Sequence, residues 1–184
     1  IVMNNVDEIN WYIRKQETID EFIESRRNPN HLEWAYFDTN KIYFSSDINE
    51  VLDLSNTIIV AIPSPYVKSC LDEINIDISH KKIISAVKGM IPDEHVLVTD
   101  YIHEHFGVPH ENIGVIAGPC HAEEIALERL SYLTIGGISE ENTQAWSELL
   151  TTKFVHVTRS NDVIGLEYSS VLKNIYAIAA GMCS

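Results

Sequence analysis

Short apolar runs alternate with longer amphipathic stretches along most of the chain. Residues 8–14 alternate polar and apolar as a strand does, and residues 19–27 carry the three-to-four spacing of a helix. A short strand is predicted at 42–44, and Ser46-Asp47 can cap a helix running to about residue 54. Residues 57–62, 82–87 and 113–117 are nearly continuous apolar runs, as strands buried on both faces of a parallel sheet read. Helical periods separate or follow them at 64–74, 93–106 and 120–130. A strand at 131–135, a helix from Ser139 to about residue 152 and a strand at 154–158 complete the rhythm. The alternation predicts an α/β fold, a Rossmann-like, doubly wound and mostly parallel sheet with helices on both faces.

The last segment breaks the pattern. Residues 162–182 form one long helical candidate, with apolar side chains from Val163 to Ile178 around most of its circumference. A helix of that kind is expected to be buried, and here to open a second, all-α domain. The expected division is 1–160 for the nucleotide-binding domain and 161–184 for the first helix of the second.

Composition narrows the function classes. The 184 residues carry 13 Lys and Arg against 27 Asp and Glu, a formal charge of −14. That excess argues against nucleic acid as a partner, while leaving room for a phosphate in a locally basic pocket. No apolar run reaches the ~20 residues of a membrane span, and the opening IVMNNVDE does not read as a signal peptide. Three cysteines without a C-x-x-C pair suggest reduced thiols and a cytoplasmic location. His103 and His105 point apart at i, i+2 on a helix, so no metal site is expected.

Candidate chemistry clusters at strand ends, where open parallel sheets bind ligands. Pro63-Ser64-Pro65-Tyr66 stiffens one strand-to-helix turn, and Tyr66 is either a core aromatic or a residue at the sheet crest. Lys88-Gly89 follows a buried strand, so Lys88 is either a solvated loop lysine or projects where a ligand binds. Gly118-Pro119-Cys120 leads into a helix whose free amides can receive an anion, or is a plain turn. Cys120 reads as a small packing residue, since nothing activates it. Lys173, beside Asn174, is the only basic residue after Arg159 and lies in the apolar helix. An ammonium there must snorkel, find a partner or serve as a general acid/base in a low-dielectric cleft. Glu167, six residues earlier, is not placed to pair with it.

The stretches IIVAIPSPYV, SAVKGM, IAGPCHAEEIA and DVIGLEYSSVLKNIYAIAAGM, with WYIR and RRNPNHL upstream, resemble NAD(P)-dependent sn-glycerol-3-phosphate dehydrogenase in order and spacing. The resemblance implies interconversion of sn-glycerol 3-phosphate and dihydroxyacetone phosphate by hydride transfer with NAD or NADP, feeding glycerophospholipid synthesis. It implies that Lys173 exchanges the proton at the substrate C2 oxygen, with Asn174 beside it. Lys88 would contact both substrate phosphate and cofactor, Gly118 and Cys120 the substrate, and Ala122 the cofactor. Tyr66 takes the place of an aromatic near the nicotinamide. Arg14 falls where the adenine ribose or its 2′-phosphate is met, which leans toward NADP, and His31 is a further cofactor candidate. A homodimer is also implied.

The sequence departs from the family in four ways. Cys120 stands where a small hydroxyl or amide residue is usual, and Ser169-Ser170 replaces a common Gly-Gly. No G-x-G-x-x-G occurs, so the sheet is expected to lack its central first strand and to leave two unpaired edges inside the domain. The family's helical C-terminal domain is absent too. The 184 residues are therefore expected to be a portion of a longer enzyme, poorly folded or complemented by a partner when alone, and inactive. A β-hydroxyacid or 6-phosphogluconate type of dehydrogenase, or a nucleotide-binding module without turnover, are the alternative readings.

Overall fold

The computed structural model describes residues 5–92 and 94–183. Its seven strands fall into two sheets. Strands β1 (Ile9–Tyr12) and β2 (Ile42–Ser45) pair in parallel, joined through helix α1 (Gln16–Ser25). The second sheet has the order β3 (Thr57–Val60), β4 (Lys82–Ser85), β5 (Ile113–Ala117), β6 (Ser131–Gly137) and β7 (Val155–Ser160). Helices α2 (Ile48–Asp53), α3 (Ser64–Leu71), α4 (Val98–Phe106), α5 (Ala122–Ala126), α6 (Glu140–Leu150) and α7 (Val163–Met182) complete the fold.

Each sheet has its own apolar packing. In the small sheet, Trp11, Phe22, Phe37 and Phe44 form an aromatic cluster, with Phe22 fully buried and its ring centroid 5.0 Å from that of Phe44. In the large sheet, consecutive β4 residues point to opposite faces, as the pleat requires. Ile83 packs with Val67, Tyr101 and Ile102 of α3 and α4, while Ile84 packs with Trp146 and Leu150 of α6. Both faces are therefore covered, which is why the β4 run is apolar at consecutive positions.

The expected gap is visible. An apolar slot of about 200 Å³ separates β1 from β3, lined by residues of both strands together with Ile48, Leu71 and Ile83. The edges of β1 and β3 that face it are paired to no other strand among the described residues. Asn10 bridges across one end, its Nδ2 donating to Leu54 O at 3.3 Å and Ser55 Oγ at 3.0 Å.

The sheet is mostly parallel, as expected, and four features stand apart from the simple pattern. β5 and β6 are antiparallel, with Gly114 opposite Gly137 and Ala117 opposite Thr134. The helix predicted at 120–130 shrinks to Ala122–Ala126, because Glu128 takes a left-handed φ of 55° and ends it. Five helical residues rise only ~7–8 Å, too little to carry the chain back along the sheet, so β6 starts near the end where β5 finished. The helix predicted from Asp93, a residue outside the described ones, begins only at Val98, since Ile91 and Val96 pair across a tight turn. The fourth concerns α7, which is not buried. Its inner stripe, Val163, Leu166, Glu167, Ser170 and Val171, is covered, while Ile164, Ile175, Tyr176, Ile178 and Met182 are exposed.

Candidate active site

Because β3, β4 and β5 run parallel, their carboxyl ends share one edge of the sheet. Three residues beyond the end of β4 lies Lys88, exposed, in a loop whose Gly89 is packed against Ser64 at the start of α3. Gly118 and Pro119 lie directly beyond β5. Gly118 has φ +135°, and a Cβ there would lie 2.6 Å from Tyr132 O, so no other residue fits without moving β6. α7 leaves β7 after a two-residue turn, capped by Asp162, whose Oδ1 accepts from Gly165 N at 2.8 Å. It then lies across β5 and β6 and brings Ser169, Ser170 and Lys173 to the same edge.

These segments enclose a cleft of about 210 Å³ lined by Lys88, Gly118, Pro119, Ser169, Ser170 and Lys173. Two lysines and two serines line it, both serine hydroxyls donating to Leu166 O of α7, and no carboxylate is among its lining residues. In a chain of net charge −14, this is a local positive cleft. It suits an anionic ligand with a phosphate, which lysine binds as a point charge. The apolar slot between β1 and β3 is of similar volume, but its lining offers packing rather than chemistry.

Lys173 is exposed, so the low-dielectric setting expected from the sequence is not present among the described residues. It lines the same cleft as Lys88. Asn174 follows it on α7, with its side chain outside the described part. Cys120 is half-buried beside the second core cluster, and burial pushes its thiol up, with a Ser131 hydrogen bond and nearby Lys88 acting the other way. Partial burial and a raised thiol fit a small packing residue.

The remaining sequence candidates lie outside the cleft lining. Tyr66, at the start of α3, is 61% exposed, which removes the core-aromatic reading. Arg14 is exposed two residues beyond β1, at the strand end where it was expected. Ala122 opens α5, and is exposed. His31 is exposed in the loop after α1, its amide donating to Asn28 Oδ1. The helix after Gly118, α5, is only five residues long, and its N-cap His121 makes no side-chain cap hydrogen bond.

One residue that sequence reasoning dismissed is prominent. Glu167 is fully buried on the inner face of α7. Its Oε1 accepts from Val98 N at 2.8 Å and Thr99 N at 3.3 Å, and its Oε2 from Thr99 Oγ1 at 2.5 Å. The carboxylate thus caps the first turn of α4 from another helix. Burial pushes Glu167 above the usual carboxylate range, with the Thr99 and Val98 bonds opposing. The available signal was its place in the 163/166/167/170 stripe, where a lone acid needs a partner.

The fold is that of an α/β protein of the Rossmann type, with its cleft at the carboxyl ends of parallel strands. The profile described as NAD-dependent glycerol-3-phosphate dehydrogenase N-terminus matches residues 1–145. The chain belongs to that family. It is 32% identical over 184 residues to a glycerol-3-phosphate dehydrogenase [NAD(P)+] of Exiguobacterium sp., covering 99% of this chain and 54% of that relative. A solved structure of the Plasmodium falciparum glycerol-3-phosphate dehydrogenase superposes with a TM-score of 0.87 at 28% identity, over 99% of this chain and 52% of that one. The Coxiella burnetii enzyme shares the fold, with a TM-score of 0.82 at 22% identity over 95% and 53% of the two chains. The chain spans about half the length of the curated relatives it matches. No helix among the described residues is long and apolar enough to cross a membrane.

Proposed function

We propose that the chain is the nucleotide-binding portion of an enzyme that interconverts sn-glycerol 3-phosphate and dihydroxyacetone phosphate with NAD(H) or NADP(H). The observation that carries this reading is the meeting of Lys88 and Lys173, from distant parts of the chain, in one carboxylate-free cleft beside Gly118. Residues 1–160 form the nucleotide-binding part in this reading, and 161–184 begin a helical substrate part.

Lys88 holds the phosphate, and the backbone at Gly118 lets the substrate approach the sheet edge. Arg14, at the end of β1, meets the adenine ribose. These residues fit a phosphorylated nucleotide, since both cationic groups project from strand ends. The reduced nicotinamide, when bound, supplies the hydride. Lys173 gives a proton to the C2 oxygen of dihydroxyacetone phosphate as negative charge builds there, so the C=O becomes CH–OH. In the reverse direction Lys173 takes that proton back.

A panel of substrates tests the reading on the full-length enzyme, followed by nicotinamide absorbance. Dihydroxyacetone phosphate is expected to be turned over, and 6-phosphogluconate and β-hydroxyacids are not. Turnover of the latter in preference would overturn it.

A further inference from the structure

We propose that Glu167 is a positioning residue: by capping α4 from the inner face of α7, it fixes the register of α7 that points Lys173 into the cleft opposite Lys88. The inference rests on the reading of Lys173 given above. Its ground is the geometry of three connected segments. The chain that carries Lys88 runs from β4 through a tight turn into α4. The chain that carries Lys173 is α7. Glu167 ties the two together through the Val98 and Thr99 amides and the Thr99 hydroxyl.

The angular arrangement supports this role. Six residues at ~100° each separate Glu167 from Lys173 by roughly 600°, which leaves them well apart around the helix. Turning Glu167 inward therefore turns Lys173 away from the inner face and toward the edge. Side-chain packing alone fixes that rotation weakly, because the apolar residues of α7 occur nearly all round it. A buried carboxylate does so strongly, since any other rotation would break its three hydrogen bonds and strand a charge. Of the charged groups packed about it, Asp100 acts on Glu167 in the sense of disfavouring its ionised form.

The test uses Glu167→Ala, Glu167→Gln, Thr99→Val and Lys173→Ala in the full-length enzyme. Glu167→Ala is expected to lower kcat about 10- to 100-fold while KM for the nucleotide changes less than about threefold, since a misplaced reacting group costs rate and not cofactor binding. Glu167→Gln keeps an oxygen for the two amides and is expected to restore kcat to within about threefold of wild type. Thr99→Val removes one of the three bonds, and is expected to fall between them even if the alanine variant does not fold. Wild-type kcat in a folded Glu167→Ala or in Thr99→Val, or a nucleotide KM that rises in step with the loss of kcat, overturns the proposal. Wild-type kcat in Lys173→Ala overturns the functional reading instead, so the two failures are distinct.

Discussion

Replacing Lys88 with methionine keeps an unbranched side chain, one atom shorter, and removes the ammonium charge. Lys88 is exposed at the rim of the 210 Å³ cleft, so its attraction for a phosphate acts through a water-like medium. One positive charge about 4 Å from a dianion is then worth about 2 kcal/mol, within the roughly 1.5–3 kcal/mol of a charge-assisted hydrogen bond. That corresponds to a rise of about 30-fold in KM for dihydroxyacetone phosphate. Because the group is exposed, added salt weakens the interaction over a screening distance of about 8 Å at physiological ionic strength. Steady-state kinetics of the full-length enzyme at several salt concentrations should show wild-type KM climbing with salt, and the Lys88→Met value high and nearly flat. Dihydroxyacetone without phosphate should be handled equally poorly by both proteins. A variant whose KM and salt response match wild type would refute the assignment of phosphate binding to Lys88.

Three further outcomes concern stability. Phe22→Ala removes the fully buried centre of the aromatic cluster and is expected to cost about 3–5 kcal/mol, read as a lower urea midpoint with the near-ultraviolet signal of Trp11 lost first. Gly114→Ala puts a Cβ 2.3 Å from the Trp146 ring and 2.9 Å from Gly136 O, so a loss of about 1–3 kcal/mol is expected in the same assay. Burial raises Glu167, so above the ordinary glutamate value the folded state holds its proton more tightly than the unfolded chain. Its contribution is therefore most favourable at acidic pH, and falls as pH rises through the raised value. Glu167→Gln should remove this part of the pH dependence of the thermal midpoint, and an unchanged profile would contradict the assignment.

The central strands were legible because burial on both faces leaves a signature that no other element shares: consecutive apolar residues such as Ile83 and Ile84, which face opposite layers. The meeting of Lys88, Gly118 and Lys173 was legible in part, since parallel strands must share a carboxyl edge. What periodicity could not reveal was set by long-range geometry. The left-handed turn at Glu128 shortens α5 and reverses β6, yet nothing in local composition marks it. The exposed outer face of α7 was hidden for a different reason, because an apolar residue reads alike whether it is covered or open. The place of Glu167 is not legible from its own helix, because its partners belong to α4.

The proton-transfer role of Lys173 is the centre of the account, and kcat of Lys173→Met in the full-length enzyme tests it most directly. A fall of about 10²- to 10⁴-fold is expected, with KM for the nucleotide little changed, as loss of a general acid/base requires. A folded Lys173→Met enzyme with wild-type kcat would contradict it.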